Sequence, residues 1–146
     1  MAPGVTISSD LLARLSRDAA TRPDVEICGL LYGVADRIEA AEACGNVAPD
    51  PARRFELDPA ALLAAHRRAR AGGPPILGHY HSHPSGRAEP SEADAADAAP
   101  DGALWLILAA GEARLWRAGA DGAWHGRFDP VPLVATPPCD HDAASP

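Results

Sequence analysis

Apolar and polar positions along this chain alternate between two periods. After Ser9-Asp10, the residues Leu11, Leu12 and Leu15 recur at helical spacing, which predicts an amphipathic helix ending before Pro23. Two largely apolar strands are expected next, over 25–33 and 37–47. A loop rich in proline and charge follows from Asn46 to Leu57. Asp58-Pro59 reads as an N-cap with proline at the first helical position, opening a helix that Gly72-Gly73-Pro74-Pro75 stops. Ile76 to Ser82 returns to strand character. Ser91-Glu92-Ala93-Asp94 opens a short helix, and strands are expected over 103–110, 112–118 and 123–128, with Gly119-Ala120-Asp121-Gly122 as the last hairpin turn. Helices interspersed with neighbouring strands suggest an α+β layer fold. One domain is expected over 1–134, with a disordered tail over 135–146 that contains Pro137-Pro138.

The chemistry concentrates in Gly78-His79-Tyr80-His81-Ser82-His83-Pro84, where three of the six histidines fall within five residues. On a strand His79, His81 and His83 share one face, with nearest same-face neighbours ~7 Å apart, a span two imidazoles bridge onto one metal ion. One ion can take only an adjacent pair. Asp94, eleven residues beyond His83, offers a carboxylate. Ser91 and Asp94 also read as the N-cap and acidic first turn of a helix, and that turn would hold Asp94 rigidly. Upstream, Glu26 opens an apolar run, Ile27 to Gly33. Either it sits at a solvated strand end, or its burial serves a purpose, because an unpaired buried charge is costly.

His81-x-His83-Pro84, six residues, then Ser91-x-x-Asp94, with a glutamate before Gly29-Leu30-Leu31-x-Gly33, resembles the motif of the JAMM (MPN-plus) zinc metalloprotease family. The resemblance runs from the first helix to the strands after Asp94. It includes Asn46 and Arg54-Phe55-Glu56-Leu57-Asp58-Pro59, which are similar to the connecting segment of small bacterial members. It implies a curved, mostly antiparallel sheet flanked by helices, related in layering to cytidine deaminases. It implies His81, His83 and Asp94 as ligands of one Zn2+ with a water in the fourth position. Glu26 would be the general base on that water and Ser91 would help hold the oxyanion. Asn46, Arg53, Arg54 and Phe55 lie where the family meets its protein substrate. Cys28 is expected to be a packed small hydrophobe and His79 a buried, hydrogen-bonded imidazole.

The implied reaction is hydrolysis of the amide after the C-terminal glycine of ubiquitin or a ubiquitin-like protein. The alternatives are release of an amino acid such as cysteine from a sulfur-carrier protein, or trimming of that carrier's tail. Only eight residues separate Asp94 from Ala103, too few for the insertion with which larger members choose a ubiquitin linkage. A non-catalytic scaffold of the same fold is the alternative of another class. Retention of Glu26, His81, His83 and Asp94 together argues against it.

Charge and cysteine usage narrow the setting. A net charge of −7, from 20 acidic and 13 basic residues, argues against a general nucleic-acid binder, and Arg67-Arg68-Arg70 reads as a solvated helix face. Three unspaced cysteines and no leader pattern point to a reducing cytoplasm; no apolar run reaches the ~20 residues of a membrane span. His-x-Glu with Pro-Cys-x-x-Cys, needed by a zinc deaminase, and His-Glu-x-x-His are both missing.

Overall fold

The computed structural model describes residues 4–84 and 86–137. The elements run β1 (Val5–Ser8), α1 (Ser9–Thr21), β2 (Cys28–Val34), β3 (Arg37–Cys44), α2 (Pro59–Arg70), β4 (Ile76–Ser82), α3 (Glu92–Asp97), β5 (Leu104–Ala109), β6 (Glu112–Gly122), β7 (Gly126–Val131) and β8 (Leu133–Thr136). All eight strands join one curled sheet in the order β7-β6-β5-β4-β2-β3-β1-β8. The β2–β3, β2–β4, β5–β6 and β6–β7 pairs are antiparallel. The β4–β5, β1–β3 and β1–β8 pairs are parallel. The fold is α+β with a mostly antiparallel sheet, as expected.

Alternation along β5 sorts the core into two layers. Leu104, Leu106 and Leu108 point to the face covered by α1, where Leu15, Leu31 and Tyr80 are buried with them. Trp105, Ile107 and Ala109 point to the opposite face, against Trp116 and Phe128. The strand is apolar throughout because both its faces are covered. Leu30, Tyr32 and Ala65 form a third cluster, where α2 meets the sheet. Here Arg68, on the solvated helix face expected of it, also reaches to the sheet: its guanidinium donates to Glu42 at 3.0 Å and to the Tyr32 hydroxyl at 3.1 Å. Gly78 is required by close approach, since a Cβ there would overlap the carbonyl oxygen of Leu104 on β5.

Four expectations shift. β1, four residues running straight into a helix, was not anticipated, nor was β8. β8 pairs with β1 from Val5↔Leu133 to Ser8↔Thr136, so Ala135 and Thr136 belong to a strand. The tail expected beyond lies, from residue 138, outside the described residues. β2 starts at Cys28 and leaves Glu26 in the preceding segment, because the Glu26 amide donates to the Pro51 carbonyl at 2.7 Å instead of entering the ladder. The hairpin turn falls at 123–125, past the expected Gly119–Gly122, which is the end of β6. His125 and Gly126 take positive φ of 54° and 70°. The Trp124 ring packs edge-on against Trp116 with centroids 5.0 Å apart, anchoring the turn at the later position.

Among the described residues no helix is long and apolar enough to cross a membrane.

Candidate metal centre

The site stands at the carboxyl end of β4, on the face opposite α1. His79, His81 and the face-sharing Trp105 and Ile107 of β5 lie in register there, His79↔Trp105 and His81↔Ile107. His81 is fully buried, and its Nε2 lies 3.0 Å from Nε2 of His83 and 3.3 Å from Oδ2 of Asp94. Nε2 of His83 lies 3.1 Å from that same carboxylate oxygen. His83 also donates from Nδ1 to the Arg87 carbonyl at 2.7 Å, which fixes its tautomer and leaves the Nε2 lone pair facing the cluster. Two imidazole nitrogens and a carboxylate oxygen thus converge.

Asp94 is held by α3 itself. Ser91 Oγ accepts from the Asp94 amide at 3.0 Å, and Asp94 Oδ2 accepts from the Ser91 amide at 3.0 Å, a complete capping box. The loop leading into it is pinned to the β6–β7 hairpin: the Trp116 indole N–H donates to Ala88, and the His125 ring to Pro90, each at 3.1 Å. The capping reading of Ser91-x-x-Asp94 is met, and the capped turn holds the Asp94 carboxylate beside His81 and His83.

Glu26 faces this cluster from the other side. It is 5% exposed and its Oε1 has no protein partner among the described residues. One of its oxygens and the ligand nitrogens of His81 and His83 lie within 4.8 Å of one another. The backbone on both sides of it is tied down. Asn46 Nδ2 donates to the Glu26 carbonyl at 2.8 Å, and Ser82 clasps the next residue, with Ile27 N donating to Ser82 Oγ at 2.9 Å and Ser82 N to Ile27 O at 3.0 Å. The solvated strand end considered for Glu26 is not what forms.

Burial pushes the Glu26 carboxyl up to about 7; His83 opposes the shift and Asp94 adds to it. For Asp94 burial works upward too, but His81, His83 and the Ser91 amide outweigh it and hold the carboxyl well below its usual range. His81 is held down by burial. In His83 burial is overcome by Asp94 and the Arg87 carbonyl, so its value rises. Two carboxylates of opposite character thus flank one imidazole pair. The donor set fits a divalent metal. Ligand atoms ~2.0–2.2 Å from a tetrahedral ion stand ~3.3–3.5 Å apart, close to the 3.0–3.3 Å among His81, His83 and Asp94. The unpartnered Glu26 oxygen is left for something other than protein.

Of the substrate-side residues, Phe55 reaches the site, stacked on the His81 ring with centroids 4.1 Å apart. Asn46 reaches it from behind, with its whole amide committed to the chain's own backbone. Arg53 and Arg54 sit on an exposed turn, Arg53 3.9 Å from Asp50, and are not brought to the cluster. Cys28 is a buried hydrophobe opposite His81, its thiol pushed up to about 12 by burial. His79 is partly buried; its ring lies edge-on to Trp105 at 4.3 Å, but its Nδ1 finds no partner, contrary to the hydrogen-bonded imidazole expected. Ser82, Arg87 and Trp105 were not foreseen. Ser82 alone carried a signal, being the residue between the paired histidines.

Fold and site together define a class, an α+β fold with a curled sheet carrying a side-chain cluster that fits a metal. Residues 8–119 match the family described as prokaryotic homologs of the JAB domain, and the chain belongs to that family. It is 34% identical over 99 residues to the desampylase of Haloferax volcanii, a match covering 66% of this chain and 71% of that protein. It is 43% identical over 68 residues to a probable TtuB-protein conjugate cleaving protease of Thermus thermophilus, covering 47% and 46%. A solution structure of a protein from Desulfitobacterium hafniense superposes with a TM-score of 0.78 at 25% identity, covering 94% of this chain and 96% of that one.

Proposed function

We propose that the protein is a zinc-dependent isopeptidase that hydrolyses the amide after the C-terminal glycine of a ubiquitin-like protein, freeing it from a conjugate. The observation that carries this is the convergence of His81, His83 and Asp94 opposite the buried, unpartnered carboxylate of Glu26. The names borne by the Haloferax and Thermus relatives, a desampylase and a conjugate cleaving protease, support the choice of substrate class. Cys28 and Cys44, both free, suit a reducing cytoplasm.

In this reading His81, His83 and Asp94 hold the ion. A zinc ion held there would serve as a Lewis acid for the scissile carbonyl and would acidify the attacking water. Glu26 takes the proton from that water and passes it to the leaving amine. A carboxyl raised toward neutrality is suited to both halves of that transfer. Ser91, with its Oγ already accepting from Asp94, has its hydroxyl proton free to donate to the developing oxyanion.

The test is an intact-mass cleavage assay on zinc-loaded protein. Substrates are ubiquitin-like proteins carrying an isopeptide-linked lysine or a C-terminal extension, and sulfur-carrier proteins loaded with cysteine. Glu26→Gln is expected to keep its zinc and lose turnover by at least about 100-fold, because a base is removed and a ligand is not. His83→Ala is expected to lose both. Full activity in Glu26→Gln refutes the base, and zinc binding without cleavage of any substrate refutes the substrate class. Preference for the cysteine-loaded carriers would move the reading from deconjugation to sulfur transfer.

A further inference from the structure

A cleft of about 770 Å³ lies between α2 and the β4–β5 face, beside the metal centre but lined by none of Glu26, His81, His83 and Asp94. Phe55 joins the two, lining the cleft while stacking on His81. Phe55, Leu57, Ala98 and Trp105 are among its apolar lining, and His79 lines it with them. Arg117, which also lines the cleft, is committed to the Gly102 carbonyl at 2.8 Å.

His79 is an unexpected residue for that wall. Packing alone would favour a hydrocarbon ring, since the imidazole contacts are the faces and edges of Trp105 and Phe55. A buried polar atom without a partner costs free energy, and Nδ1 is in that position. An unpartnered buried N–H is costlier than an unpartnered lone pair, which places the ring proton on Nε2. Nε2 makes no hydrogen bond among the described residues and, unlike Nδ1, is not among the buried unpartnered atoms. The donor therefore belongs to whatever fills the cleft.

We infer that His79 is a substrate-binding residue whose Nε2–H donates to a main-chain carbonyl of the extended C-terminal tail of the substrate, lying in this cleft. The inference rests on the proposed function and deepens it. An extended tail buried between apolar walls must have its carbonyls partnered. His79 precedes His81 by two residues on the same face, ~7 Å along β4. At ~3.3 Å per residue, the carbonyl it meets lies about two residues upstream of the scissile bond.

Two substitutions separate donor from packing. His79→Phe keeps an aromatic edge on Trp105 and removes the donor; His79→Gln keeps an N–H and removes the ring. Both are measured for zinc content, for kcat and KM on the tail-extended substrate, and, in a Glu26→Gln background, for anisotropy of a fluorescent tail peptide ending in glycine. His79→Phe is expected to retain zinc and bind the peptide about 5- to 15-fold more weakly, the worth of one hydrogen bond. His79→Gln is expected to stay within about threefold of the parent. Phe binding like the parent, or Gln losing as much as Phe, overturns the inference and leaves the proposed function standing. Loss of zinc in both variants overturns it also, by making His79 a support for His81. A parent that neither binds nor cleaves any tail overturns the proposed function and this inference with it.

Discussion

Asn46 holds Glu26 in place without touching either histidine. Its Nδ2 donates to the carbonyls of Glu26 and Arg54, and its Oδ1 accepts from the amides of Ala48 and Glu56, at 2.8–3.0 Å. One side chain thereby closes the 46–57 loop over the segment that carries Glu26. Asn46→Ala strands these backbone groups, at about 1–3 kcal/mol for a buried group left unmade. The expected outcome is a lower urea midpoint and a fall in kcat with metal content unchanged. Asn46→Asp keeps the two accepted bonds but sets a carboxylate oxygen against the carbonyls of Glu26 and Arg54, and should fall at least as far. A stability loss with kcat intact would show that the loop holds Glu26 by other contacts. Phe55 belongs to the same loop, and its stacking on His81 follows from that closure.

Among the elements, α3 is the shortest helix and has the most demanding task. Six residues cannot sustain a helix on propensity, so its position depends on the Ser91–Asp94 box and on the loop pinned by Trp116 and His125. Ser91→Ala is expected to cost about 0.5–2 kcal/mol and to weaken zinc retention against a chelator, because Asp94 loses its partner in the turn. Ser91→Thr should restore both; unchanged zinc retention in Ser91→Ala would detach the cap from the metal. This box was legible in the sequence because its signal is local: a capping serine three residues before an aspartate. So was the histidine strand, whose period of two sets the face. What was not legible depends on distant partners. Glu26 leaves the strand because its amide donates a hydrogen bond to the Pro51 carbonyl. β1 and β8 are four residues each; β8 is a strand only beside β1, and β1 lies between β8 and the distant β3. The hairpin turn moves to 123–125 because Trp124 packs on Trp116. No residue window around any of these holds its partner.

At the scale of the whole molecule, the buried Glu26 carboxyl places a burden on the fold that a bound cation would relieve. In the unfolded chain Glu26 ionises near 4.5; in the fold its value stands at about 7, through burial above all. A carboxyl raised in this way binds its proton more tightly when folded, so the metal-free fold loses stability as pH rises from about 4.5 to about 7, and the loss stays constant above that. Glu26→Gln has no proton to lose and escapes this cost. Metal-free Glu26→Gln should therefore melt above metal-free wild type at pH 8, by an amount on the order of 1–2 kcal/mol, or a few degrees for a domain of this size. The two should converge at pH 4.5. Comparing them cancels the opposite contribution of Asp94, whose depressed value gives stability that is lost only in acid. A cation among His81, His83 and Asp94 stabilises the ionised form of Glu26, so loading zinc should narrow the gap at pH 8. Thermal melts of the two proteins at both pH values, with and without the ion, make the comparison. Equal melting of the metal-free pair at pH 8 would mean that Glu26 ionises in the fold at no cost, and its burial would then have no bearing on its use as a base.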